Sequence, residues 1–337
     1  MSVDISRIAE KLLPWYDANA RVLPWRSPPG APLPDPYRVW LSEIMLQQTT
    51  VATVKAYFER FTSRWPSVAV LAAADEGDVM AAWAGLGYYS RARNLVACAR
   101  VLAADGFPAD EAGLRALPGV GPYTAAAIAS IAFGQRAVVI DGNVERVVAR
   151  LFAVEASLPG VKPELKRLAD TITPDTRCGD FAQAMMDLGA TVCVPRNPRC
   201  GDCPLRRDCG AYAGGHPGSY PRRAAKAVKP ERTATAWWIE REEQVLLVRR
   251  PAKGLLGGML ALPSTLVTSC PDFTGAPVGT VTHVFTHFRL TLTVAVASLD
   301  PGCVLPPDAQ WWPKVRLLDA GLPTLFAKAA AVAMREE

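Results

Sequence analysis

At 337 residues the chain is long enough for two domains, each with a core of its own. Half of it is apolar and it holds nine tryptophans, which excludes a disordered chain; its most apolar stretch, residues 123–133, is too short to cross a bilayer. The formal net charge of +5 is modest, so what it implies depends on where the charges lie.

The first twenty residues carry Asp4, Arg7, Glu10 and Lys11 among apolar ones, the pattern of an amphipathic helix rather than a signal peptide. The expectation is a cytosolic protein whose thiols stay reduced. Apolar residues at helical spacing predict helices over 37–61, 76–83, 92–104, 124–133 and 144–152, with Pro, Gly and Asp in the gaps. In the first of these, Glu43 shares a helix face with Val39, Trp40, Leu46 and Gln47. On that face its carboxyl would be desolvated and its pKa raised toward neutrality, as a general acid at pH 7 requires. The plainer alternative is a surface glutamate on a helix turned the other way.

Leu117-Pro118-Gly119-Val120-Gly121-Pro122-Tyr123-Thr124 has the form of a helix–hairpin–helix turn. Two glycines permit a tight backbone, and a helix starts straight after, so its first N–H groups form a site for a phosphate. A simple helix-joining turn would look similar. An apolar run then leads into Asp141, with Gly142, Asn143 and a further helix beyond. Asp141 reads either as an N-cap or as a carboxylate kept ionised by the helix dipole, able to stabilise a neighbouring cation.

Cys193, Cys200, Cys203 and Cys209 fall in the pattern C-x6-C-x2-C-x5-C. Four thiolates so close enclose one compact centre, a [4Fe–4S] cluster or a zinc ion; the spacing lacks the paired short knuckles usual for zinc and favours the cluster. The remaining cysteines (Cys98, Cys178, Cys270, Cys303) are scattered and read as small apolar residues. Between residues 196 and 232 stand nine Lys/Arg against three Asp/Glu, while the rest of the chain is close to neutral. That basic stripe suits a polyanion, or else a solvated linker. Residues 214–232, rich in Gly, Pro, Arg and Lys, are expected to link a helical domain at 1–213 to a smaller α+β domain at 233–337. In the latter, 236–239 and 245–249 form a predicted hairpin, 278–285 and 289–297 a second pair, and 322–334 a final helix.

These motifs in this order resemble the endonuclease III superfamily, and within it the MutY-type adenine DNA glycosylases. The matching stretches are Leu23–Arg26, Ser42–Thr49, Gly85–Arg91, Leu117–Thr124, Asp141–Arg150 and the cysteine quartet. The resemblance implies a mostly α helix–hairpin–helix glycosylase domain with one [4Fe–4S] cluster loop. The activity implied is removal of adenine opposite 8-oxoguanine or guanine in double-stranded DNA, by a monomer in the nucleoid. Where bifunctional relatives carry a Schiff-base lysine, this chain has Tyr123, which implies hydrolysis without strand cleavage. By the same resemblance Glu43 protonates the flipped adenine and Asp141 stabilises the sugar cation, with Tyr123 and Asn143 in support. Gln48, Thr49, Leu86 and Tyr88 fill and read the gap in the duplex, Tyr88 as the wedge, while Gly119 and Gly121 meet its phosphates.

The second domain resembles the Nudix-like, MutT-like module of the same family, but no stretch carries the magnesium-binding R-E-x-x-E-E cluster. The resemblance implies an 8-oxoguanine reader rather than a triphosphatase. Phe285, Thr286 and His287 match the family's reading loop, with threonine where the family has serine.

Overall fold

The computed structural model describes residues 5–224, 228–251, 254–266, 273–285, 287–299, 303, 305 and 308–335. The chain divides into two compact units, Met1–Ala225 and Lys226–Glu337.

The first unit is helical: α1 (Ile8–Asn19), α2 (Pro36–Leu46), α3 (Val51–Arg64), α4 (Val68–Ala72), α5 (Glu76–Trp83), α6 (Ser90–Asp105), α7 (Glu111–Arg115), α8 (Pro122–Phe133), α9 (Gly142–Leu151), α10 (Lys162–Ile172), α11 (Cys178–Thr191) and the single turn α12 (Gly210–Ala213). None of the described helices is long and apolar enough to cross a membrane. Trp40, Trp83, Phe58 and Phe61 are fully buried at its centre. α2 starts where the Asp35 carboxylate accepts from the Tyr37 N–H at 2.9 Å, with Pro36 at the first helical position.

The single helix predicted over 37–61 is two. α2 stops at Leu46, Gln48 adopts a left-handed φ of 57°, and the Thr50 hydroxyl caps α3 by accepting from the Thr53 N–H at 3.3 Å. Apolar spacing resumes after the break, so periodicity conceals what the polar run Gln47–Thr50 does to the backbone. That break turns Gln48 and Thr49 out of the helix at the end of the turn that carries Glu43.

α7 and α8 form the helix–hairpin–helix. Gly119 has φ 75°, and a Cβ there would stand 2.8 Å from that of Asn94, so conformation and crowding both demand glycine. Gly121 is extended, and a Cβ on it would meet nothing within 4 Å; the start of α8 is open.

The stretch expected to link the domains is not a uniform tether. The Tyr220 carbonyl accepts from Arg150 Nε at 3.1 Å, and Leu158 exchanges backbone hydrogen bonds with Arg222 and Ala224. Residues 220–224 therefore lie against the first unit, and Glu231 and Arg232 already belong to a strand. Composition marks such a segment as irregular but is blind to a buried guanidinium waiting for its carbonyl.

The second unit is a six-stranded sheet with a helix on one face: β1 (Glu231–Arg241), β2 (Gln244–Arg249), β3 (Leu260–Ala261), β4 (Gly275–Val284), β5 (Arg289–Ala297), β6 (Ala309–Pro313) and α13 (Thr324–Ala333). The order is β3-β2-β1-β5-β4, with β6 on β2. Both predicted antiparallel pairs form, β1 to β2 through Glu240↔Val245 and β4 to β5. β1 also runs parallel to β5 from Glu231↔Arg289 to Ile239↔Ala297, a long-range pairing that local patterning cannot reveal. Phe326, Ala329 and Ala330 of α13 pack on Trp238, Leu292 and Val294, while Trp237, Ile239 and Leu246 fill the opposite face.

Candidate active site

A cavity of about 870 Å³ opens in the first unit, walled by the end of α2, the starts of α8 and α9, and one side of α11. α11 comes this close to α9 because Gly189 has no side chain; a Cβ there would stand 2.7 Å from that of Asn143.

Glu43 projects from the last turns of α2 and is 6% exposed. Its Oε2 has no hydrogen-bond partner among the described residues. Burial pushes its pKa up to about 7; the hydrogen bond from Tyr123 and the charge of Arg26 oppose that rise, and Asp141 adds to it. The phenol of Tyr123 is in turn held well above its ordinary range by burial and by the two carboxyl groups, so it stays a donor.

Asp141 lies at the head of α9, and both of its carboxylate oxygens accept hydrogen bonds. Oδ1 accepts from the Asn143 and Val144 N–H groups at 2.8 and 2.7 Å, and Oδ2 from Asn143 Nδ2 at 2.9 Å. It is the cap that the sequence allowed, and it also lines the cavity; the two readings are not exclusive. Asn143 is fixed in its turn: its Oδ1 accepts from Arg146 Nη2 at 2.8 Å, and Arg146 Nε donates to the Cys193 carbonyl at 2.8 Å.

The structure therefore gathers Glu43, Tyr123, Asp141 and Asn143 in one cavity, which Gln48 and Thr49 also line. Leu86, Tyr88, Gly119 and Gly121 lie outside it. Leu86 is buried, whereas Tyr88 is 58% exposed with a left-handed φ of 48°. In the second unit Phe285 is half-buried, its ring 4.8 Å from Phe288 and 4.5 Å from His283, and His287 is exposed. Thr286 falls outside the described residues.

Sequence reasoning missed four residues here. Asp187, fully buried in α11, binds both Arg26 Nη1 at 2.7 Å and Arg21 Nε at 2.6 Å, and both arginines line the cavity. Gln183, also in α11 and 6% exposed, lines it as well. An aspartate inside the apolar run Ala184–Ala190 was the available signal, because a buried charge implies a partner. Nothing local marks Gln183.

The four cysteine thiols are free and border one small, apolar-walled cavity with Arg150 and Tyr212. Single turns deliver them: Cys193 just after α11, Cys200 and Cys203 at the ends of a 3-10 turn, and Cys209 at the head of α12. Four sulfurs around one apolar void suit the compact multi-atom centre that the spacing favours. Arg150, fully buried, donates to Cys193 Sγ at 3.2 Å and to the carbonyls of Val194 and Pro195, a cation placed to meet a thiolate-rich anion. Arg196, Arg199, Arg206 and Arg207 are exposed around it.

Three family models match the chain: the HhH-GPD superfamily of base excision DNA repair proteins over residues 41–173, the iron–sulfur binding domain of endonuclease III over 193–209, and the NUDIX domain over 234–331. The second spans the cysteine ring, and the chain carries an iron–sulfur binding domain that takes a [4Fe–4S] cluster. The chain is 35% identical to the adenine DNA glycosylase of Mus musculus, over 96% of this chain and 77% of that one. With the adenine DNA glycosylase of Buchnera aphidicola it shares 34% over 87% and 88% of the two chains. Among solved structures, a thermostable thymine-DNA glycosylase superposes with a TM-score of 0.56 at 30% identity, covering 62% of this chain and 97% of that one. Endonuclease III in a non-covalent DNA complex, at 23% identity and a TM-score of 0.51, shares the fold over 63% of this chain and 96% of its own. By sequence, fold and cluster motif, the chain belongs to the adenine DNA glycosylase family of the HhH-GPD superfamily.

Proposed function

We propose that this protein excises adenine opposite 8-oxoguanine or guanine in duplex DNA, by hydrolysis and without cutting the strand. The observation that carries this reading is the pairing of two unlike carboxyl groups in one cavity. One is buried and holds its proton to about pH 7; the other is stabilised by two backbone N–H groups at a helix start. A glycosidic bond to a purine needs both. The leaving base must take up a proton, and the sugar left behind develops positive charge.

The adenine enters the cavity unstacked, since its glycosidic bond is out of reach within the duplex. The Glu43 carboxyl gives its proton to N7, so that the base departs neutral. The Tyr123 hydroxyl orients that carboxyl through their hydrogen bond. Asp141, held by Asn143 and the α9 backbone, faces the oxocarbenium-like sugar and lowers its energy without having to reorganise. Glu43, now a carboxylate, takes a proton from the attacking water. Arg26 and Gln183 supply further polar groups to the base. The residue at position 123 has no amine, so no Schiff base forms there and β-elimination does not follow. Tyr88 fills the vacated stack, and the exposed arginines around the cluster meet phosphates. Phe285, Thr286 and His287 of the second unit read the opposing 8-oxoguanine.

The test is a gel assay on a duplex with A opposite 8-oxoguanine, developed with and without alkali. Base loss with breakage only after alkali is the expected result. Breakage without alkali on a thymine glycol duplex would instead favour a lyase, and no base loss from any duplex would leave a non-catalytic DNA-binding protein.

A further inference from the structure

Arg91 is 9% exposed and forms no ion pair among the described residues. Its guanidinium is spent on backbone from two separate segments. Nη1 donates to the carbonyls of Ile44 and Met45 at 3.0 and 3.1 Å, in the last turn of α2, beginning one residue after Glu43. Nη2 donates to the carbonyls of Leu86 and Gly87 at 3.0 and 3.3 Å and to Thr49 Oγ1 at 3.3 Å. The guanidinium also lies over two rings, Trp83 at 5.3 Å and Tyr88 at 5.5 Å. Tyr88 is exposed with a left-handed backbone and follows Gly85 and Gly87, which also have positive φ.

A helix end leaves carbonyls without partners, and here they are satisfied by the same planar fork that fixes the loop bearing Tyr88. We propose that Arg91 is a positioning residue that makes insertion of Tyr88 into the duplex and placement of the Glu43 carboxyl on the base a single event. The inference rests on the reading of Tyr88 as wedge and Glu43 as acid. A ring moving into the base stack must shift against the guanidinium over which it lies. That guanidinium is rigid: its Nη1 is committed to the turn of α2 that presents Glu43 and its Nη2 to the loop and Thr49, while its Nε has no partner among the described residues. Displacement at the loop is therefore transmitted to the acid. Lysine keeps the charge but has no plane to stack and no fork to span both pairs of carbonyls.

The experiment is a double-mutant cycle of Tyr88→Ala and Arg91→Lys. Two readouts are taken on the full-length, cluster-loaded protein: single-turnover excision from an A:8-oxoguanine duplex, and binding to the same duplex with tetrahydrofuran in place of the adenosine. We expect Arg91→Lys to slow excision at least ~30-fold and to move its pH midpoint, while tetrahydrofuran binding changes less than ~3-fold. Tyr88→Ala should slow excision ~10-fold in the Arg91 protein but less than ~2-fold in the Arg91→Lys background. Multiplying effects, or Arg91→Lys excision within ~2-fold of the parent, would overturn the coupling. Tyr88→Ala without effect in the parent would instead remove the wedge on which the inference stands. If Arg91→Lys does not fold, Trp83→Phe takes its place. It removes the indole bond to the Gly87 carbonyl (3.1 Å) from the same array, and the same non-additivity decides.

Discussion

Glu43 on α2 and Asp141 at the head of α9 face the same cavity, yet the two helices treat their carboxyl groups in opposite ways. Glu43 is set among apolar neighbours late in its helix, with Tyr123 as partner to its carboxyl and one oxygen left unpaired. Asp141 precedes the first turn of its helix, where N–H groups have no other partners, and it accepts three hydrogen bonds. Burial without compensation raises a carboxyl pKa, while backbone donors and a helix dipole favour the charged form. Position along a helix thus leaves one carboxyl buried with an unpaired oxygen and gives the other two backbone N–H donors.

The sharpest way to break the contrast is to remove the proton from one side. Glu43→Gln should lower single-turnover excision by ~10²–10⁴-fold while lesion-duplex binding persists, because only proton transfer is lost. Near-normal excision would take Glu43 out of the mechanism. Asp141→Asn comes next. Asparagine caps helices about as well as aspartate, so folding should survive while excision falls ~10²-fold through loss of the negative charge. Loss of the helical circular dichroism signal in the Asp141→Asn variant would show the capping role to dominate.

A third measurement concerns stability. The Glu43 carboxyl has its pKa raised from 4.5 to about 7 on folding, so the folded state binds this proton more tightly than the unfolded state. Stability from this group is complete below pH 4.5 and is lost as pH rises through 7, by about 3 kcal/mol in all. Glu43→Gln should escape that loss, and its denaturation midpoint should gain on the parent between pH 5 and pH 8. A constant difference across that range would contradict the buried, unpaired carboxyl.

The same titration predicts activity. Excision under single-turnover conditions should fall roughly tenfold per pH unit above about 7 as the acid loses its proton. A flat profile to pH 9 would assign the proton to another group. The smallest effect belongs away from the cavity. Arg207→Ala, on the exposed cluster loop, should weaken duplex binding regardless of sequence and reduce the slope of log K against log salt by about 1. An unchanged slope would remove Arg207 from the phosphate contacts.

Much of this was legible in residue order. The apolar face around Glu43, the two glycines before Tyr123, the N-capping position of Asp141 and the spacing of the quartet Cys193, Cys200, Cys203 and Cys209 are local patterns, and local patterns report local physics. The same limit explains what stayed hidden. The break at Gln47–Thr50 lay inside unbroken periodicity, the β1–β5 pairing joins strands far apart in the chain, and residues 220–224 are held by Arg150 and Leu158, some seventy positions earlier.

By itself the sequence determined that Glu43 would share a helix face with large apolar residues, that Asp141 would start a helix, that position 123 would offer no amine, and that four cysteines would crowd around one compact centre. Only the tertiary structure decided that the two carboxyls share a cavity, that Tyr123 bonds Glu43, and that Asp187 anchors Arg21 and Arg26 beside them. The same holds for Arg91, which reaches both the end of α2 and the loop of Tyr88. Propensity and burial are properties of a few neighbouring residues, whereas a pKa near 7, an ion pair or a shared guanidinium depends on groups that only packing brings together.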